Sequence, residues 1–89
     1  DASNLEEMGQ EAIKILFATL KNYDHHFYKL ELNALNQIAS QTLNEKDLKI
    51  EKHSKARLIN EMQKQGIIAM SPKGFRLTAL GKWYVENCL

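Results

Sequence analysis

One stretch, residues 53–81, constrains the fold of this chain more than any other: HSKARLINEMQKQGIIAMSPKGFRLTALG. Its apolar residues first recur at three- and four-residue steps, the spacing of one helix face, and this pattern stops at Gly66, a residue suited to a helix C-terminus. Two short apolar runs follow around Ser-Pro-Lys-Gly, a composition typical of a tight turn. Thr78 is then a suitable N-cap. The stretch predicts a helix over 51–65, a β-hairpin over 67–78 and a closing helix.

Helical periodicity is also present upstream of this stretch. Apolar residues recur at helical spacing over 5–20 and again over 32–43, which predicts two further helices. Residues 22–24 are expected to end the first of them. Residues 24–28 have no clear pattern and residues 27–32 alternate partially, which predicts a loop and a brief strand. The charge-rich segment 44–49 predicts a lengthened turn or an extra helical turn. The expected fold is therefore mostly α-helical with one small β-hairpin, an α+β class.

The composition limits the class of protein. The 89 residues are expected to form one domain, 1–89, and 44% hydrophobic with 26% charged residues is ordinary for a globule. Short apolar runs and no basic-apolar leader predict no membrane partner. A single cysteine, Cys88, excludes an intramolecular disulfide and favours a reducing compartment, so we expect a cytoplasmic, nucleoid-associated protein, or a nuclear one in a eukaryote. Because the chain begins with Asp1, we also expect that it could be a domain excised from a longer protein.

Charge is distributed unevenly along the chain. Residues 1–52 carry 6 basic and 9 acidic side chains, a net charge of −3, whereas residues 53–89 carry 6 basic and 2 acidic ones, a net charge of +4; the two parts add to +1. A segregated basic part suggests an acidic partner such as nucleic acid. An ordinary solvated surface would tolerate the same imbalance.

A set of mostly apolar residues and glycines connects these patterns to a known superfamily. It consists of Arg57-Leu58-Ile59, Met62 and Gly66-Ile67-Ile68 before the turn, and of Phe75-Arg76-Leu77-Thr78 and Gly81 after it. With these residues, the chain from about Gln10 to Tyr84 resembles the winged helix-turn-helix superfamily, in the form found in small bacterial regulators. The resemblance implies that helix 51–65 enters the major groove of double-stranded DNA and that the hairpin 67–78 is a wing on the DNA backbone. It also implies two-fold dimers that match paired half-sites.

The exposed face predicted for helix 51–65 carries residue types suited to DNA. Arg57 and Asn60 lie one helical turn apart, and their side chains suit the edges of guanine and adenine, respectively. The other candidates suit phosphate or sugar contacts from the helix or the wing: His53, Ser54, Lys55, Lys64, Lys73 and Arg76. Each alone could equally be a solvated side chain, so the hypothesis depends on their common placement. It describes sequence-specific DNA binding by a transcriptional regulator or another DNA-associated factor.

Two alternatives stay open. The terminal helices could supply a homodimer interface through Leu5, Met8, Trp83 and Tyr84, although the two aromatic residues are equally suited to the core. A second functional hypothesis is a protein-interaction module within a larger assembly that does not contact DNA. The near-neutral total charge, the lengthened turn and an acid on the predicted DNA-binding face, Glu61, favour this second hypothesis.

The sequence contains no pattern typical of catalysis or cofactor binding. Its four glycines form no phosphate-binding loop, and Cys88 has no histidine nearby in sequence to activate it. His25 and His26 are adjacent, but adjacent residues do not face each other on a helix. We therefore predict no enzyme activity, no metal site and no cofactor.

Overall fold

The computed structural model describes residues 2–89, with side chains from Glu6 onward. Within these residues the chain forms four helices and one hairpin, in the order α1 (Ala2–Tyr23), α2 (His25–Ser40), α3 (Lys52–Lys64), β1 (Ile68–Ser71), β2 (Gly74–Leu77) and α4 (Ala79–Cys88). The predicted α+β class with one small antiparallel hairpin is therefore confirmed. None of the described helices is long and apolar enough to cross a membrane.

Asp24 separates α1 from α2 and begins the second helix. Its side chain accepts a hydrogen bond from the Phe27 amide at 3.3 Å, the arrangement of an N-cap. The buried residues of α2 follow at helical spacing: Phe27, Glu31, Ala34, Leu35 and Ile38. The loop and strand predicted over 24–32 are therefore wrong, and the helix predicted over 32–43 begins and ends earlier. The reason is that one continuous buried face, starting from a capped first turn, outweighs the partial alternation.

Strand β2 of the hairpin forms backbone hydrogen bonds along both of its edges. β1 and β2 pair antiparallel and are joined by Pro72 and Lys73. On the other edge, the Phe75 amide donates to the Leu43 carbonyl at 2.6 Å, and the Leu43 amide donates back at 3.3 Å. Gly74 permits this approach, because its φ is +132° and a Cβ there would overlap the Leu43 carbonyl. Leu43 therefore lies beyond the end of α2 and attaches the hairpin to the helical part.

The charge-rich segment between α2 and α3 is a compact turn. The Asn44 side chain accepts from the Asp47 amide at 3.0 Å. Gln37 of α2 holds the other end, since it accepts from the Lys49 amide at 2.8 Å and donates to the Lys49 carbonyl at 3.0 Å. Leu48 is only 1% exposed and anchors the turn in the core. The predicted turn is confirmed, and these contacts fix its position.

Helix α4 closes the core against α1. The Tyr84 ring is 5% exposed and stacks on the Phe17 ring, with the centroids 4.3 Å apart. Thr78 is the N-cap, as predicted, and its hydroxyl accepts from the Gly81 amide at 3.1 Å. A Cβ at Gly81 would overlap the Ile67 carbonyl, so glycine is needed for α4 to pack this closely on the start of the hairpin.

Candidate nucleic-acid interface

Helix α3 buries one face and exposes another that is polar. Leu58, Ile59 and Met62 are buried because they recur at helical spacing. The exposed positions are Lys52, His53, Ala56, Arg57, Asn60, Gln63 and Lys64. None of these residues is an acid, and three of them are lysine or arginine. We call these positions the outer face of α3; none of its own side chains would repel a polyanion.

The Glu51 carboxylate organises the start of α3. One of its oxygens lies 2.9 Å from Nε2 of His26, and the other lies 3.1 Å from Nε2 of His53. The Ser54 hydroxyl donates to the same carboxylate at 3.2 Å. His53 remains exposed, whereas Ser54 is half-buried. Of these two predicted DNA contacts, only His53 therefore lies on the outer face.

Arg57 lies at the edge of the outer face, next to the junction of α1 and α2. Its guanidinium carbon is 4.1 Å from the centre of the Phe27 ring, and one of its nitrogens is 3.7 Å from the Asp24 carboxylate. A cation is attracted to an aromatic face, and the opposite charge adds a weak, solvent-screened attraction. Arg57 would have to leave both contacts to reach a base, whereas Asn60 is exposed one turn further along the helix.

A cationic groove lies between α3 and the preceding turn. The side chains that line it are Asn44, Glu45, Lys46, Lys52, Lys55 and Ala56. The Lys55 ammonium donates to the Glu45 carbonyl at 2.9 Å, so this predicted DNA contact lies on the flank of α3. Sequence reasoning misses Lys46 and Lys52 as members of the same surface, because it does not determine how the turn folds back on the helix. Their positive charge beside the predicted helix is the only signal that could have found them.

Glu61 does not belong to the outer face. It is half-buried, and its charge contributes to the raised pKa of Glu31, a residue of α2. Glu61 thus lies at the border between the outer face and the buried side of α3, and the acid expected on the predicted DNA-binding face is partly covered.

Glu31 is a buried acid of α2 that lies next to the end of α3. Its Oε1 accepts from Nε2 of Gln65 at 3.2 Å, whereas Glu31 Oε2 and Gln65 Oε1 have no hydrogen-bond partner among the residues with described side chains. Burial raises the pKa of Glu31 to about 7; the Gln65 hydrogen bond opposes this, the Glu61 charge adds to it and the Arg57 charge opposes it. A proton on Glu31 would give Gln65 Oε1 a donor and complete a two-point pair. The position of Glu31, four residues after the apolar Phe27, is the sequence signal for its burial.

The two predicted wing cations lie in different surroundings. Lys73 is exposed at the tip of the hairpin. Arg76 is exposed on β2 but lines a groove with residues of α2 and α4, among them Lys82 and Glu86. Lys64, by contrast, is on the outer face at the end of α3. The structure thus associates Arg76 with α4 and not with the face that carries His53 and the other exposed residues of α3.

The residues predicted for a dimer interface also lie in different surroundings. Leu5 lies outside the described side chains. Met8 is 66% exposed on α1. Trp83 is half-buried where α4 crosses α1. Tyr84 is buried in the core, so its assignment to a dimer surface is wrong.

Neither a metal centre nor a known relative adds to this description. No group of three or more histidine, cysteine, aspartate or glutamate residues that could hold a metal ion occurs within the described part of the chain. Comparison with protein-family models, curated protein sequences and solved structures gives no match to this chain. The geometry and charge of α3 and its surroundings are therefore the features that indicate a function.

Proposed function

We propose that the chain is a winged helix-turn-helix domain that binds specific sequences of double-stranded DNA, as a transcriptional regulator or another DNA-associated factor. The order of elements supports this fold. Helices α2 and α3 form the helix-turn-helix, and α3 enters the major groove. The β1–β2 hairpin is the wing, and Leu43 adds a minimal third strand to it.

The observation that carries this proposal is that the outer face of α3 contains no acid. Asn60 and Gln63 are three residues apart, so their amides are neighbours on the helix surface. Asparagine and glutamine side chains both pair with the edge of adenine. Lys52 and Lys64 lie about 18 Å apart along the helix axis, enough to reach phosphates on both sides of a major groove about 12 Å wide.

Residues beside α3 receive supporting roles. Lys46 and Lys55 line the cationic groove and are placed to contact the DNA backbone, as is Lys73 at the tip of the wing. Arg57 contacts Phe27 and so helps to position α3 against α2. Base reading is therefore assigned to Asn60 and Gln63 and not to Arg57.

The proposal is tested by titrating labelled duplexes, one random and one selected for tight binding, at two salt concentrations. Lys52→Ala should weaken binding to both and lower the slope of log affinity against log salt by about one. Asn60→Ala should cost about 1–3 kcal/mol on the selected duplex and much less on the random one. Lys29→Ala is the matched control, since Lys29 is exposed on α2, outside α3 and the wing, and should change neither value.

One feature favours a second function. Met70 is 62% exposed on β1, an apolar position that a protein partner would cover better than a DNA backbone would. If the folded protein does not bind duplex at micromolar concentration and low salt, the DNA proposal is wrong and a protein-interaction module is the better assignment. Equal, salt-insensitive losses for Lys52→Ala and Asn60→Ala would contradict their separate roles.

A further inference from the structure

Helix α1 exposes an apolar stripe that no other part of the described chain covers. Its inward face is buried through Ile13 and Phe17. Met8 is 66% exposed and Ile15 is 63% exposed, and both line a shallow groove along the helix with Ala12. Large apolar side chains exposed together on a helix indicate an interaction surface more often than isolated ones do.

The spacing of the stripe is that of a helix pair. Met8, Ala12, Ile15 and Thr19 follow one another at steps of four, three and four residues, which places them in a narrow line on one side of the helix. This line is opposite the face that contains Phe17. A helix packed on the stripe would therefore not contact the core of the same chain.

Charge determines which helix and which direction fit. One flank of the stripe carries two acids followed by two lysines, in the order Glu7, Glu11, Lys14 and Lys21. A second α1 running antiparallel would place acids against lysines along this flank, whereas other directions lose that match. Within the chain, Lys14 and Glu11 form only an exposed contact at 3.5 Å, so both charges remain available to a partner.

In one register of the two antiparallel α1 helices, both the side-chain sizes and the charges are complementary. When the two-fold axis lies between Ile13 and Lys14, Ala12 is opposite Ile15 of the second copy, and Met8 is opposite Thr19. Each large side chain then meets a smaller one, which is how close-packed interfaces interdigitate. In the same register Glu7 lies near Lys21 of the second copy.

We propose that α1 is a homodimerisation helix that pairs antiparallel with α1 of a second copy of this chain. The seam consists of Met8, Ala12, Ile15 and Thr19, and its charged flank sets the direction. The remainder of each domain lies on the far side of its own α1, so the outer faces of both α3 helices remain accessible. This proposal does not depend on DNA binding.

Sedimentation equilibrium of the whole chain tests the association. The parent should have the mass of two chains, and Ile15→Asp should raise the dissociation constant by roughly tenfold or more, because it places an unpaired carboxylate in the seam. Leu89→Asp is the matched control, since Leu89 is also a large apolar residue that is exposed but lies at the end of α4. Circular dichroism should show that both variants remain folded. A parent with the mass of one chain at high concentration would overturn the proposal, as would an equal loss of association in the control.

Cysteine cross-linking tests the direction. In a Cys88→Ser background, Met8→Cys and Thr19→Cys should form a disulfide when mixed and oxidised, because the register places them opposite each other. Each variant alone should give much less cross-linked product. Efficient self-linking of Met8→Cys would show a parallel pair and overturn the antiparallel register. Loss of duplex binding with the dimer intact would overturn only the proposed function, so failures of the two proposals are distinguishable.

Discussion

Two helices of this molecule, α1 and α3, are both amphipathic, yet their exposed faces differ in chemistry. The exposed side of α1 contains Met8 and Ile15, whereas that of α3 contains lysine, histidine and amide side chains, for example Lys52 and Asn60. Water solvates the face of α3 well but is a poor solvent for the stripe on α1. The difference teaches that exposure alone does not define a partner. An apolar stripe is best covered by another apolar helix, and a cationic, amide-bearing face by a polyanion.

The chemistry of the exposed face of α3 depends on which side of the helix is turned toward α2. Glu31 and Gln65 meet at this contact, although they are 34 residues apart in sequence. Arg57 adds its contact with Phe27 at the other end of the same side. These contacts hold the rotation of α3 and therefore decide that Asn60 and Gln63 are exposed.

The largest effect is expected from a charge on the buried side of α3. Met62 is fully buried, so Met62→Asp should lower the free energy of unfolding by more than about 4 kcal/mol, because it buries an unpaired carboxylate. Gln63→Asp, its neighbour on the outer face, should change stability by less than about 1 kcal/mol. Urea denaturation followed by circular dichroism measures both. A cooperative transition near that of the parent in Met62→Asp would show that the wrong face of α3 has been assigned to the core.

A smaller, pH-dependent effect is expected at Glu31. Its pKa is raised from an ordinary value of 4.5 to about 7, so the folded state binds this proton more tightly than the unfolded chain does. The resulting stability is complete below about pH 4.5 and is lost as the pH rises through about 7. Glu31→Gln removes the titration and retains a donor for Gln65 Oε1. It should therefore be more stable than the parent by about 2–4 kcal/mol at pH 8 and similar to it at pH 4.5.

Urea denaturation of the parent and of Glu31→Gln across this pH range isolates the contribution of Glu31. Glu86→Gln is the control, because Glu86 is an exposed acid on α4, and its curve should follow that of the parent. Parallel curves for the parent and Glu31→Gln would show that Glu31 does not titrate with folding in this range.

The smallest effect is expected at Arg57. Arg57→Ala should reduce stability by about 0.5–1 kcal/mol through loss of the contact with Phe27, which is partly screened by solvent. Its effect on duplex binding should be similar for selected and random DNA, because base reading is assigned to Asn60 and Gln63. Thermal denaturation and the two-duplex titration measure these quantities. A loss confined to the selected duplex would return base reading to Arg57 and move the DNA-reading surface toward α2.

Several elements were predictable because the information is local. The helix predicted over 51–65 is α3, Lys52–Lys64, and the predicted hairpin is β1 and β2, since helical spacing, a glycine stop and a Pro-containing turn act within a few residues. The error over 24–32 also concerns local information. The partial alternation of residues 27–32 suggests a strand, whereas the N-cap formed by Asp24 stabilises the first turn of a helix.

The candidate site was less predictable than the elements that carry it. The sequence indicates a cationic helix but not the neighbours of each cation. Lys55 is held by the Glu45 carbonyl, Arg57 lies over Phe27, and Arg76 lies in a groove with α4. Each of these contacts joins different elements, so no periodic pattern within α3 or the hairpin could reveal it.

The sequence by itself determined the α3 helix, the hairpin with its turn, the N-cap of the last helix and the basic character of residues 53–89. These features follow from backbone preferences and side-chain periodicity over short distances. The tertiary structure alone decided that Glu61 is partly covered, that Leu43 and Leu48 anchor the connection before α3, and that the stripe on α1 is left exposed. The physical reason is that burial is a property of the packed chain: which face of a helix is covered depends on elements that lie far away in sequence.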